Sequence, residues 1–193
     1  MYSPADPLTT ALVVLAGVGF LFLVALVVSY NRFVRQRNLV RDSWANVDTE
    51  LRRRYDLIPN LVATVKGYAA HEKQVLENVV AARTAAVADD GSPTHQARTE
   101  GRLVGSVRQL LAVAERYPDL RASENFLSLQ RELANTEDRI QAARRFFNNN
   151  VRDYNIRVQS FPSTLVAGWF NFEEADYFEV EPVVRTAPDV AMP

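Results

Sequence analysis

Between Glu50 and Lys73 the chain reads ELRRRYDLIPNLVATVKGYAAHEK. Arginines, a tyrosine, an aspartate and a His-Glu pair in so short a run are the residue types of acid–base or metal chemistry. General acid–base catalysis needs a titratable group poised beside a partner, and this run supplies no such pair. A zinc-protease helix needs H-E-x-x-H, two imidazoles one turn apart. Here His71 and Glu72 are followed by valine at position 75, and the other histidine, His95, lies in or beside a loop. That leaves too few nitrogen ligands for a His-based zinc site. The chain has no cysteine, which removes thiolate nucleophiles, disulfides and Cys-based zinc sites. Neither a Glu plus Glu-x-x-His di-iron pattern, a G-x-S-x-G elbow nor a phosphate-binding G-x-x-x-x-G-K-[ST] loop occurs. The expectation is a protein that is not an enzyme, with no catalytic residues, no cofactor and no metal.

The elements that hold this run begin with an uncharged stretch, LTTALVVLAGVGFLFLVALVV, over residues 8–28. As a helix it covers about 32 Å, against about 30 Å of bilayer hydrocarbon. Asp6 stands where a cleaved signal peptide would be basic, and no A-x-A-like cleavage site follows. The stretch therefore reads as a retained anchor. Arg32, Arg35, Arg37 and Arg41 crowd its C-terminal flank, and no Lys or Arg precedes it. The positive-inside rule then predicts residues 1–7 outside and the bulk of the chain in the cytoplasm. The same arginines suit anionic headgroups. Of the 23 acids only Asp6 precedes residue 31, so 22 acids face 22 bases beyond it. A neutral domain is not built to blanket nucleic acid.

Past the anchor, apolar residues recur at spacings of three and four, the pattern of a helix seam. The seams are Val40–Tyr55, Leu61–Ala86, Leu103–Tyr117 and Phe126–Phe161. Breaks fall at DDGSPT, 89–94, where Ser92 can cap a helix with Pro93 in its first turn, and at RYPDLRASEN, 116–125, with Ser123 as a cap. Pro59 is tolerated only in a first turn, so Asp56 reads as an N-cap and YDLIPNL as helix, corner, helix. Four helices are predicted, at 31–55, 57–88, 93–116 and 123–160. Joined by short links they make an all-α, up-down antiparallel four-helix bundle with long coiled-coil-like helices over 29–160. Helix two would overshoot helix one unless it kinks near Gly67 or helix one is tilted. A disordered tail is expected over 181–193.

Three surfaces stand out. The first is a distal corner: Arg52, Arg53, Arg54, Tyr55, Asp56 and Pro59 are echoed by Tyr117, Pro118 and Asp119, and the arginines are expected to face Glu115, Asp119 and Glu124. The second is a polar stripe on helix four, Arg144, Asn148, Arg152 and Asn155, with Lys66 at the same level. It reads either as a polar groove for a partner or ligand or as a register-setting contact within the bundle. The third is FPSTLVAGWFNF, within an aromatic segment over 161–180, whose Trp169, Phe170 and Phe172 join the flanking arginines as membrane-surface residues. The acids Glu173, Glu174 and Asp176 favour the rival reading, a short helix capping the core.

The blocks RRRYDLIPNLVATVKGYAAHE, AERYPDLRASENFLSLQRELANTEDRI and AARRFFNNNVRDYNIRVQSFPSTLVAGWF, in that order, resemble the LemA family. The resemblance implies a bacterial membrane protein with an N-terminal anchor and a cytoplasmic helical bundle. It implies no enzyme activity or cofactor and brings no catalytic residues. One branch of that family contains magnetosome membrane proteins, which implies membrane organisation. A loose association with membrane-bound zinc metalloproteases implies a partner. The expectation is a single-pass protein of the bacterial inner membrane, a scaffold or adaptor that meets lipid and a protein partner or its own copies. The alternatives are an accessory subunit of a membrane protease or transporter, and a membrane-remodelling protein of the magnetosome type.

Overall fold

A computed structural model describes residues 7–179. The expected tail over 181–193 lies outside them. Among the described residues the regular elements are all helices: α1 Pro7–Tyr68, α2 Lys73–Val87, α3 Pro93–Ala114, α4 Pro118–Arg121, α5 Glu124–Gln159 and α6 Ser163–Phe170. α1 carries the anchor stretch, with an 18-residue window of mean hydropathy 3.0 of which none is buried. By length and composition it can cross a bilayer.

The corner expected at Asp56–Pro59 is absent, because α1 runs through Pro59 without a break. A proline inside a helix removes the hydrogen bond to the carbonyl four residues back. Here that carbonyl belongs to Tyr55, and Arg83 of α2 donates its Nε–H to it at 2.7 Å. The orphaned acceptor is thus satisfied from a neighbouring helix. Packing also holds the helix on course: Leu51, Tyr55, Ile58, Leu61 and Val65 are all buried, a seam that passes Pro59 without a phase change. Pro59 itself lies on the exposed face.

The chain reverses instead at residues 69–72, just past Gly67, so the expected helix two is divided between the end of α1 and a short α2. Ala69 still donates to the Val65 carbonyl at 2.8 Å, and Glu72 then closes a tight turn onto Ala69 at 3.1 Å. His71 and Glu72 sit in this turn. The other breaks fall where turn chemistry put them. Ser92 accepts from the His95 amide with Pro93 in the first turn of α3, and the Phe126 amide lies 3.5 Å from the Ser123 hydroxyl at the start of α5.

The chain divides into two compact units, each assembled from separate stretches. One joins the residues up to Asp42 with Asn149–Ala175. Its core is Phe33, Tyr154, Val166, Ala167 and Phe172. The Phe33 and Phe172 rings stack at 4.7 Å, and Tyr154 meets Phe33 edge-on at 6.4 Å. The other unit joins Ser43–Asn148 with the chain from Asp176. There α2 packs on α3, and Trp44 lies between the rings of Phe147, at 5.0 Å, and Phe178, at 5.4 Å. Fully burying a phenylalanine side chain, as at Phe147 and Phe178, stabilises by about 1.5–3 kcal/mol.

Candidate functional site

In the first unit, α6 lies beside α1 just past the anchor stretch. Tyr30, on the last apolar turns of α1, packs on Phe170 at 4.8 Å and on Phe172 at 5.7 Å. Asn171 takes a left-handed conformation, φ 52°, which ends α6 and turns the chain back. This places Phe172 in the core, so it is not one of the surface aromatics expected from the sequence; its ring is taken up by Phe33 and covered by the Arg37 guanidinium at 5.3 Å. Trp169, at 63% exposure, and Phe170, at 44%, do face outward, with Phe161 and Leu165 beside them in sequence also exposed. Arg32, Arg35 and Arg41 are exposed on α1. Indole and phenyl rings next to cationic side chains, at the end of an apolar helix, form the residue set of a bilayer interface.

The polar stripe of α5 has a use that its spacing did not show. Asn155 donates to the Ala175 carbonyl at 2.9 Å and accepts from the Ala175 amide at 2.8 Å. Asn148, in the second unit, accepts from the Phe178 amide at 2.9 Å and donates toward the Phe178 carbonyl at 3.4 Å. Each carboxamide pairs with a backbone unit as another peptide would. The chain after α6, which forms neither helix nor strand through residue 179, is thereby tied to α5 at Ala175 and at Phe178. Arg144 is half-buried, Arg152 is exposed with Asp153 at 3.8 Å, and Lys66 is exposed and makes no bond to the stripe.

The second unit contains a buried ionic cluster. Arg54, at 5% exposure, donates to Glu100, at 4%, and to Glu137 at 2.9 Å; the Tyr55 hydroxyl also donates to Glu100. Desolvation lowers the Arg54 pKa against the raising pull of Glu137 and Tyr55, and desolvation chiefly raises that of Tyr55. Burying one charge without its partner would cost far more than the pair returns. Gln141 donates to the remaining Glu137 oxygen at 2.8 Å. With cations and donors on every acid, the cluster can fix the mutual register of α1, α3 and α5.

The two tyrosine-bearing runs of the expected distal corner are not joined. Arg52 pairs with Asp48 at 2.9 Å and Arg53 lies 4.0 Å from Glu50, both within α1. Arg54 turns to Glu100 and Glu137 rather than to Glu115, Asp119 or Glu124. Tyr117 instead lies by Glu72, which accepts from Arg116 at 2.7 Å, while Pro118 and Asp119 begin the exposed face of α4. Asp56 and Pro59 are exposed on α1. Reading these residues as a corner hid their partners. Glu100 stands three residues before Leu103 on the seam of α3, and an acid in a seam position calls for a buried cation. Glu137, beside the seam residue Thr136, gives no such signal, and neither does Arg83.

Among the described residues no group of three or more His, Cys, Asp or Glu is placed to hold a metal ion. The comparisons with known proteins come down on one family. The model of the LemA family matches residues 43–192. A magnetosome protein, MamQ 2 of Paramagnetospirillum magneticum, is 26% identical over 190 residues, covering 86% of this chain and 70% of its own length. Magnetosome protein MamQ of Magnetospirillum gryphiswaldense is similar to the same extent, 26% over 190 residues. Protein LemA of Metamycoplasma hominis is 23% identical over 162 residues, covering 83% of this chain and 74% of its own. With the family match spanning most of the sequence and the helices that carry it described above, this chain belongs to the LemA family.

Proposed function

We propose that this protein is a membrane-attached scaffold or adaptor. It crosses the bacterial inner membrane once, with its N-terminus outside. In the cytoplasm it presents an up-down four-helix bundle of long coiled-coil-like helices to a protein partner or to its own copies. The observation that carries this reading is the continuity of α1: one helix, Pro7–Tyr68, is wholly unburied over its apolar window and fully buried at Val47, Leu51 and Ile58. One helix thus supplies both the apolar, unburied stretch of the first unit and core residues of the second. The ionic cluster supports a structural role too, since its charges are spent on one another. In this reading the protein is not an enzyme, needs no cofactor and does not bind nucleic acid; membrane lipid and protein are its partners.

Cross-linking in native membranes followed by purification in mild detergent tests it. Homomeric particles are the expected outcome. A stoichiometric membrane protease or transporter in the particle would replace the scaffold reading with that of an accessory subunit. The 26% identity to the MamQ proteins supports a second reading, a membrane-remodelling role of the magnetosome-associated type. Tubulation or vesiculation of liposomes by the reconstituted full chain would select it.

A further inference from the structure

A groove of ≈ 530 Å³ runs in the first unit between the last apolar turns of α1 and the exposed side of α6. Phe22, Ala25 and Leu26 form one wall, and Leu165, Val166 and Trp169 the other. The small side chains of Ala25 and Ser29 make the room. At one end the groove meets two arginines, Arg32 and Arg157. Arg157 is held in place: its Nε–H donates to the Gln36 side chain, and its guanidinium lies 6.0 Å from the centre of the Phe33 ring. Neither arginine has a carboxylate partner among the described residues. The lining is thus apolar along its length and cationic at its end.

We propose that this groove holds an anionic glycerophospholipid of the surrounding leaflet, one acyl chain along α1 and the phosphate on Arg32 and Arg157. Charge complementarity and length carry the inference. From Phe22 to Arg32 the helix rises about 15 Å, the depth of one leaflet's hydrocarbon. A groove of this size falls in the range of small-molecule sites. Arg32, exposed and unpaired, reaches the headgroup level, and Arg157 supplies a second, fixed donor fork suited to a phosphate. A zwitterionic lipid carries its own ammonium and gains less from two cations. The Glu173–Asp176 acids do not line the groove.

The proposal rests on the membrane reading of α1, and the experiment separates the two. The full-length protein is reconstituted into vesicles of phosphatidylcholine with phosphatidylglycerol, floated after an alkaline wash, then extracted and analysed by native mass spectrometry. Retention of phosphatidylglycerol over phosphatidylcholine is expected. Arg32→Gln with Arg157→Gln should reduce that preference about thirty-fold, from about 1 kcal/mol per arginine. Ala25→Phe, which fills the groove and leaves both charges, should remove the retained lipid. Equal retention of the two lipids by the wild type, or retained phosphatidylglycerol in Ala25→Phe, would overturn the site while the anchor stands. Displacement of the lipid by free glycerol 3-phosphate would also overturn it, in favour of a soluble phosphate. A wild-type chain that fails to float would overturn both the site and the anchor.

Discussion

Removing the Arg54 side chain leaves Glu100 buried without its cation and the Tyr55 hydroxyl as its remaining donor. Arg54→Ala should destabilise the second unit by about 3–5 kcal/mol, the cost of an uncompensated buried charge. Urea unfolding of the full chain in micelles measures it. Replacing the pair by apolar residues, Arg54→Met with Glu100→Leu, should cost much less than the single change, since the desolvation of both ions goes with them. A second residue-scale test concerns Asp89, which takes hydrogen bonds from Thr99 at 2.6 Å, Gly91 at 3.0 Å and His95 at 2.8 Å. Desolvation opposes, yet these bonds hold its pKa below the ordinary carboxylate value. The unfolded chain then binds the proton more readily than the folded one. The stabilisation is full above the ordinary value and is lost as the pH falls through the folded one. The stability gap between wild type and Asp89→Asn should be widest near neutral pH and close in acid.

At the scale of elements, α1 depends on a contact that no local rule supplies. Arg83→Ala strands the Tyr55 carbonyl and should cost about 1–3 kcal/mol. Adding Pro59→Ala returns the helix's own donor at that position and should recover most of the loss, an interaction that a double-mutant cycle of thermal melts reads directly. This pair also marks where sequence reasoning stopped. The sequence divides this seam into one ending at Tyr55 and another starting at Leu61, because Pro59 reads as a first-turn residue and the donor that compensates for it lies in another helix. The breaks at Ser92 and Ser123 were legible because their caps are local. The course of the segment after α6 was not, since it has no period of its own and borrows hydrogen bonds from asparagines on α5. Asn155→Ala should release it: amide exchange at Ala175 is expected to speed up while exchange within α3 stays unchanged.

For the whole molecule, the absence of cysteine makes single thiols unambiguous reporters. In intact cells, Ser3→Cys should react with a membrane-impermeant maleimide and Asp90→Cys should not. The reverse pattern would invert the proposed orientation. The stacking of Phe33 on Phe172 has a further consequence, in the order of synthesis. The two rings are 139 positions apart, by subtraction of their numbers. At about 5–20 residues per second, Phe33 leaves the ribosome roughly 7–28 s before its partner exists. Throughout that interval the anchor is made and the apolar face beside it is bare. The first unit is therefore closed only once α6 and Phe172 have been made, and a nascent protein stalled before α6 would expose Phe33 to whatever chaperone or lipid is at hand.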